Sequence, residues 1–190
     1  HGIAAAFIAS MVKLAFSIHK EVAVDPSVFM RTMSRTLSGN TGGRMLTAEV
    51  AYLDRREGTL RCARAGHEPV LVYRRREGVL VELLPKGILI GYDADATFET
   101  ERIALDPGDR IILYTDGLSE ARNPRMPVGA RADINETMFG NEAFRKSILE
   151  SAALDAESCA NHILGALSEW TGSSEGYEDD LTLIVIDVEG

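Results

Sequence analysis

Positive charge is scarce in this chain. Its 190 residues carry 20 Lys and Arg against 29 Asp and Glu, a net charge of -9. Binding along a nucleic-acid backbone requires a basic face, so the balance argues against such a partner. Cysteine is nearly absent as well. Cys62 and Cys159 stand alone with no C-x-x-C, and nothing in their spacing asks for a disulfide; they read as buried reduced thiols. No Walker-type loop, nucleophile elbow or zinc signature occurs. No apolar run is expected to reach transmembrane length. The longest, Ile3 to Ile18, is interrupted by Ser10, Lys13 and Ser17, and it lacks the basic start and cleavage site of a signal peptide. The expectation is a cytoplasmic chain with neither nucleic acid nor membrane as partner.

What is present is an ordinary globular composition in a chain long enough for one domain over 1–190 with a substantial core. Ile3, Phe7, Met11, Leu14 and Ile18 recur at helical spacing and predict an amphipathic helix with these residues on its apolar face. Asp25-Pro26 predicts a capped helix start, followed by Phe29, Met33 and Leu37. From Leu46 the period becomes that of strands. Thr47 to Leu53 and Leu60 to Arg64 flank Arg55-Arg56-Glu57-Gly58, and Val70 to Tyr73 and Val79 to Leu83 flank Arg75-Arg76-Glu77-Gly78. These two turns predict an antiparallel meander, with Arg55-Arg56 and Arg74-Arg75-Arg76 as solvated turn residues. Further strands are expected at Phe98 to Leu105, Arg110 to Tyr114 and Leu181 to Val188. The last is a near-continuous apolar run that suits the middle of a sheet. Helices are expected from about Glu142 to Ala152 and from Ala156 to Trp170, the second capped by Asp155. Pro124 to Glu136 reads as a surface loop and Gly172 to Gly176 as a flexible link. Paired helices and strand meanders make the class α+β.

Carboxylates mark the two most apolar strands. Arg110 to Tyr114 leads into Thr115-Asp116-Gly117, and Glu178-Asp179-Asp180 leads into Leu181 to Val188. Taken alone, Asp116-Gly117 reads as a turn and Asp179-Asp180 as solvated charges flanking a hydrophobic strand. Taken together, they converge if the two strands are neighbours. Clustered carboxylates repel unless a cation lies between them, and hard oxygen donors suit Mg²⁺ or Mn²⁺. That chemistry points to an anionic substrate, most simply a phosphate. His67 could orient water, a metal or a phosphate, although a histidine in a sheet connection is more often structural.

The motifs also occur in a recognisable order. His1-Gly2-Ile3-Ala4-Ala5 resembles the tail of D-x-x-G-H-G-x-x-A in bacterial metal-dependent Ser/Thr protein phosphatases, the type 2C-like enzymes of the SpoIIE and sigma-factor-regulator group. Ala65-Gly66-His67-Glu68-Pro69 is similar to that group's A-G-H-x-P. Leu105-Asp106-Pro107-Gly108-Asp109 and Leu113 to Ala121 are similar to its L-x-P-G-D and L-Y-T-D-G-x-x-E-A. Met138-Phe139-Gly140 and Asp179-Asp180-Leu181-Thr182 resemble its F-G and D-D-x-T.

The resemblance implies an α-β-β-α sandwich of antiparallel sheets flanked by helix pairs, with two Mn²⁺ or Mg²⁺ ions. It implies Asp116 and Asp179 as catalytic metal ligands and Asp180 as a neighbouring or alternate ligand. His1, Gly2, Gly117 and His67 would lie around the metals or against the substrate. The implied reaction is hydrolysis of a phosphoserine or phosphothreonine by metal-activated water, on a STAS-type anti-anti-sigma factor, under an attached sensor or receiver domain. The family's first metal-ligating aspartates would lie upstream of His1, so the chain reads as truncated, with the first strands missing. The loop from Arg125 to Asn135 is longer than the family's usual link. The alternative from another class is a catalytically inactive pseudophosphatase or scaffold that binds a signalling partner.

Overall fold

The computed structural model describes residues 3–126, 137–140, 142–172 and 179–190. The expected loop at 125–135, the link at 172–176 and the His1-Gly2 motif fall wholly or mostly outside these residues. The chain divides into two compact units, His1–Pro69 with Leu83–Leu105, and Val70–Glu82 with Asp106–Gly190.

The first unit opens with helix α1 (Ile3–His19), a 3₁₀ turn (Lys20–Val24) and α2 (Pro26–Leu37). Asp25 caps α2 as its sequence requires, accepting the Ser27 and Val28 amides, with Pro26 in the first turn. Strands β1 (Ala48–Asp54), β2 (Thr59–Ala65) and β5 (Glu101–Ala104) form a sheet in the order β1-β2-β5. Its Ala63 and Ala65 face α2 and pack with Phe29, Met30, Met33 and Leu37.

The α1 helix forms where its period predicts, but it buries a different face. Ile3, Phe7, Leu14 and Ile18 are exposed, and the buried residues are Ile8 and Ala15. Ala15 belongs to the first core cluster, where a small side chain lets helix backbones approach closely, and Phe16 meets Phe29 edge-on at 5.6 Å. The helical segment Ile3–Val24 is also, by length and composition alone, apolar enough to cross a membrane. This corrects the expectation that no run reaches that length: continuing the helix through the 3₁₀ turn extends the apolar stretch to Val24.

The second unit holds β3 (Val70–Arg74), β6 (Arg110–Tyr114), β7 (Leu183–Asp187) and most of β4 (Val79–Leu83), in a sheet of order β4-β3-β6-β7. The strands therefore do not form one continuous meander. The chain leaves the first sheet after β2, through Gly66 with φ of +65° and Pro69. Helices α4 (Ala143–Glu150) and α5 (Ala156–Thr171) pack on this second sheet through Phe144, Ile148, Ile163 and Leu167, against Leu71, Ile112 and Tyr114. Asp155 caps α5 by accepting the Ser158 amide. Strand β7 lies at the edge of its sheet, not in the middle. Its apolar content is used on one side by the second core, which takes Leu183 and Val185, while Ile184 stays exposed. The strand expected from Phe98 is confined to β5, and Phe98 itself makes only an isolated bridge to Gly87.

Two polar arrangements escaped the sequence. Arg74 was expected to be a solvated turn residue. Instead it is mostly buried and pairs with Asp106 at 3.1 Å and Asp109 at 2.7 Å. Glu49 lies on β1 opposite Arg64, with both carboxylate oxygens buried and without an oxygen or nitrogen partner among the described residues. Burial pushes its carboxyl up to about 8, only partly opposed by Arg64 and the Cys62 thiol. The native state then holds a proton between about pH 4.5 and 8 that the unfolded chain has released, so stability falls as pH rises through that window. At about 1.4 kcal/mol per unit, the loss is on the order of 5 kcal/mol. Glu49→Gln is expected to remove it: equal or lower stability than wild type near pH 4.5, and clearly higher stability above pH 8. Thermal unfolding across pH checks this, and parallel curves for the two proteins would refute it.

Candidate functional site

The two carboxylate-bearing segments singled out in the sequence meet at one end of the β6–β7 pair. The two strands run antiparallel with Tyr114 opposite Leu183. Pairing continues one step beyond them: the Thr115 amide donates to the Thr182 carbonyl at 3.1 Å, and the Thr182 amide donates to the Thr115 hydroxyl at 2.9 Å. The chain past β6 then enters a single helical turn, α3 (Asp116–Ser119). Asp116 opens this turn just past the end of β6, and its Oδ1 accepts the Gly117 amide at 3.0 Å.

Gly117 shows why glycine stands there. A Cβ on it would lie 2.3 Å from the Asp180 carbonyl oxygen and 3.5 Å from that of Asp179. What it admits among the described residues is the backbone of Asp179 and Asp180, which brings the two carboxylate-bearing segments side by side. Asp179 Oδ1 accepts the Asp180 amide at 2.8 Å. Asp116, Asp179 and Asp180 are all exposed, as groups meant to meet a hydrated cation would be.

The F-G segment supports the same turn. A Cβ on Gly140 would lie 2.8 Å from the Ser119 carbonyl oxygen, and the Gly140 amide donates to that oxygen at 2.7 Å. Phe139 is buried beside Phe144 and Trp170, so this motif holds α3 in place from below.

Of the other residues singled out, His67 lies in the first unit, half-buried, where its carbonyl accepts the Arg64 guanidinium at 2.9 Å. His1 and Gly2 lie outside the described residues. Both cysteines are free and buried, as expected.

The donor set fits a hard divalent cation in chemistry and in part in number. Mg²⁺ keeps several waters and takes one or two carboxylates, which Asp116 and its Asp179–Asp180 neighbours can provide. Among the described residues, no group of three or more His, Cys, Asp or Glu is gathered closely enough to form a complete protein cage.

Comparison with known proteins defines the class. The SiaA-PP2C domain of Pseudomonas aeruginosa superposes with a TM-score of 0.78 at 21% identity, over all of this chain and 71% of that one. RsbX in complex with magnesium superposes with a TM-score of 0.57 at 16% identity, over 96% of this chain and 71% of that one. The fold is that of PP2C-type domains, with two antiparallel sheets and packed helices. The chain belongs to the stage II sporulation protein E (SpoIIE) family, whose signature it matches over residues 1–189. Among curated relatives, the phosphoserine phosphatase RsbU of Bacillus subtilis is 30% identical over 97% of this chain. The chain spans about half of that relative, 52% of its length.

Proposed function

We propose that residues 1–190 are one catalytic domain of a Mn²⁺- or Mg²⁺-dependent phosphoprotein phosphatase, acting on phosphoserine or phosphothreonine. The observation that carries the reading is the meeting of Asp116-Gly117 with Asp179-Asp180 at the ends of two paired strands. Family membership and the similarity to a phosphoserine phosphatase support it.

In this reading Asp116 and Asp179 hold the cations, with Asp180 as a neighbouring or alternate ligand. When bound, Mn²⁺ or Mg²⁺ supplies an acidified water and neutralises charge on the phosphoryl group. The chain's own contribution is placement. The β6–β7 pairing fixes two carboxylates before substrate arrives, and their exposure leaves room for a phosphorylated side chain to approach. We take the substrate to be a STAS-type anti-anti-sigma factor and the setting to be the cytoplasm, with a sensor or receiver domain attached. The resemblance to sigma-factor regulators and the greater length of RsbU support this.

One observation favours a scaffold without turnover, the incomplete carboxylate cage among the described residues. Hydrolysis of p-nitrophenyl phosphate and of a phosphoserine peptide with and without Mn²⁺ separates the two. Turnover that requires the metal is the expected result; a protein that binds its phosphorylated partner but never turns over would be the scaffold.

A further inference from the structure

Thr115 stands at the position before a helix where a threonine hydroxyl ordinarily accepts an amide of the first turn. It makes no such bond to α3. The hydroxyl is turned across the strand pair and accepts the Thr182 amide at 2.9 Å, while the Thr115 amide donates to the Thr182 carbonyl at 3.1 Å. Thr115 thus holds Thr182 by main chain and side chain together, beyond the last regular pair of the sheet. One residue further along the chain lies Asp116, which opens α3, and two and three residues before Thr182 lie Asp180 and Asp179. On the far side of this hold, Gly117 lies so near the Asp180 carbonyl that a Cβ there would come within 2.3 Å of its oxygen. The two carboxylate segments are therefore set by the close approach at Gly117 on one side and by the main-chain and hydroxyl bonds of Thr115 on the other, of which only the hydroxyl bond depends on the side chain.

We propose that Thr115 is a positioning residue, whose hydroxyl clamps the Thr182 backbone and so sets the spacing of Asp116 and Asp179–Asp180 for metal. The proposal rests on the phosphatase reading, because it gives the clamp its purpose. Groups that orient ligands without touching the metal commonly account for ten- to hundredfold in affinity, since a ligand pair allowed to drift must be reordered on binding.

The test uses the purified protein and Mn²⁺ alone as probe. Thr115→Val keeps the shape of the side chain and removes the acceptor; Thr115→Ser keeps the acceptor. Isothermal titration is expected to show Mn²⁺ binding weakened about tenfold or more in Thr115→Val and restored in Thr115→Ser. The Thr182 amide should exchange with solvent faster only in the valine variant. Its unfolding midpoint without metal should stay close to wild type, because Thr182 is exposed and water can take over the lost bond. Equal Mn²⁺ affinity in wild type and Thr115→Val would overturn the proposal and leave the phosphatase reading standing. A wild type that binds no Mn²⁺ would overturn both. A valine variant that loses metal-free stability in step with its affinity would show a structural residue, not a positioning one.

Discussion

Asparagine in place of Asp116 is expected to abolish turnover and leave the fold as it is. The side chain is exposed, and its one described hydrogen bond, from the Gly117 amide, needs only an oxygen acceptor, which asparagine keeps. What is lost, in the proposed reading, is the negative charge that would face the cation. A divalent ion contributes several kcal/mol of charge stabilisation in phosphoryl transfer. At about 1.4 kcal/mol per factor of ten, losing its hold should lower the rate by about a thousandfold or more. Melting without metal should be unchanged or slightly raised, because removing one carboxylate relieves repulsion from its neighbours. Rates of p-nitrophenyl phosphate hydrolysis with Mn²⁺, measured beside melting curves, check both halves. A variant that keeps the wild-type rate would remove Asp116 from the site.

Asp109→Ala should act in the opposite way, with a large loss of stability and no direct loss of chemistry. Asp109 is 1% exposed. Its carboxylate takes the Arg74 guanidinium at 2.7 Å and the amides of Arg75 at 3.1 Å and Asp106 at 2.9 Å. It joins the β3–β4 turn to the Leu105–Asp109 turn that starts β6. Alanine leaves the Arg74 charge short of its closest partner and two amides unpaired, and breaking a buried pair of this kind costs about 3–5 kcal/mol. The denaturation midpoint should fall with little change in slope. A shift of a few tenths of a kcal/mol would mean that Arg74 is satisfied by its remaining partners, Asp106 and Glu77 among them.

The contrast between these two aspartates shows what the sequence disclosed. Both sit in short motifs beside β6, and both are followed or preceded by glycine. Asp116 could be read as functional because its strand and the Asp179–Asp180 strand are the two most apolar of the chain, and such strands tend to be neighbours. The capped starts of α2 and α5 were equally readable, because a cap is settled by residues within three positions. The role of Asp109 depends on Arg74, 35 positions earlier, and no local pattern distinguishes that arginine from the exposed Arg55 and Arg56 of the sister turn. Glu49 was hidden in the same way. In an alternating strand it looks like a solvent-facing residue, and only the arrangement around β1 buries it. The buried face of α1 was misjudged because size, not hydropathy, governs a close helix crossing: Ala15 goes inward and Phe7 stays out. The edge position of β7 was hidden because an apolar run reports how much surface is covered, not which strands lie beside it.

The Thr115–Thr182 pairing spans 67 positions of sequence, which bears on how the site comes into being. A ribosome adds about 5–20 residues each second. For several seconds after Asp116 has been made, the nascent chain therefore has β6 but no β7, and that edge of β6 lies open. Closing so long a loop also slows the pairing of the two strands. During that interval the carboxylates are ordinary solvated side chains with no shared cation site. In the proposed reading, the shared cation site thus forms only when β7 docks on β6.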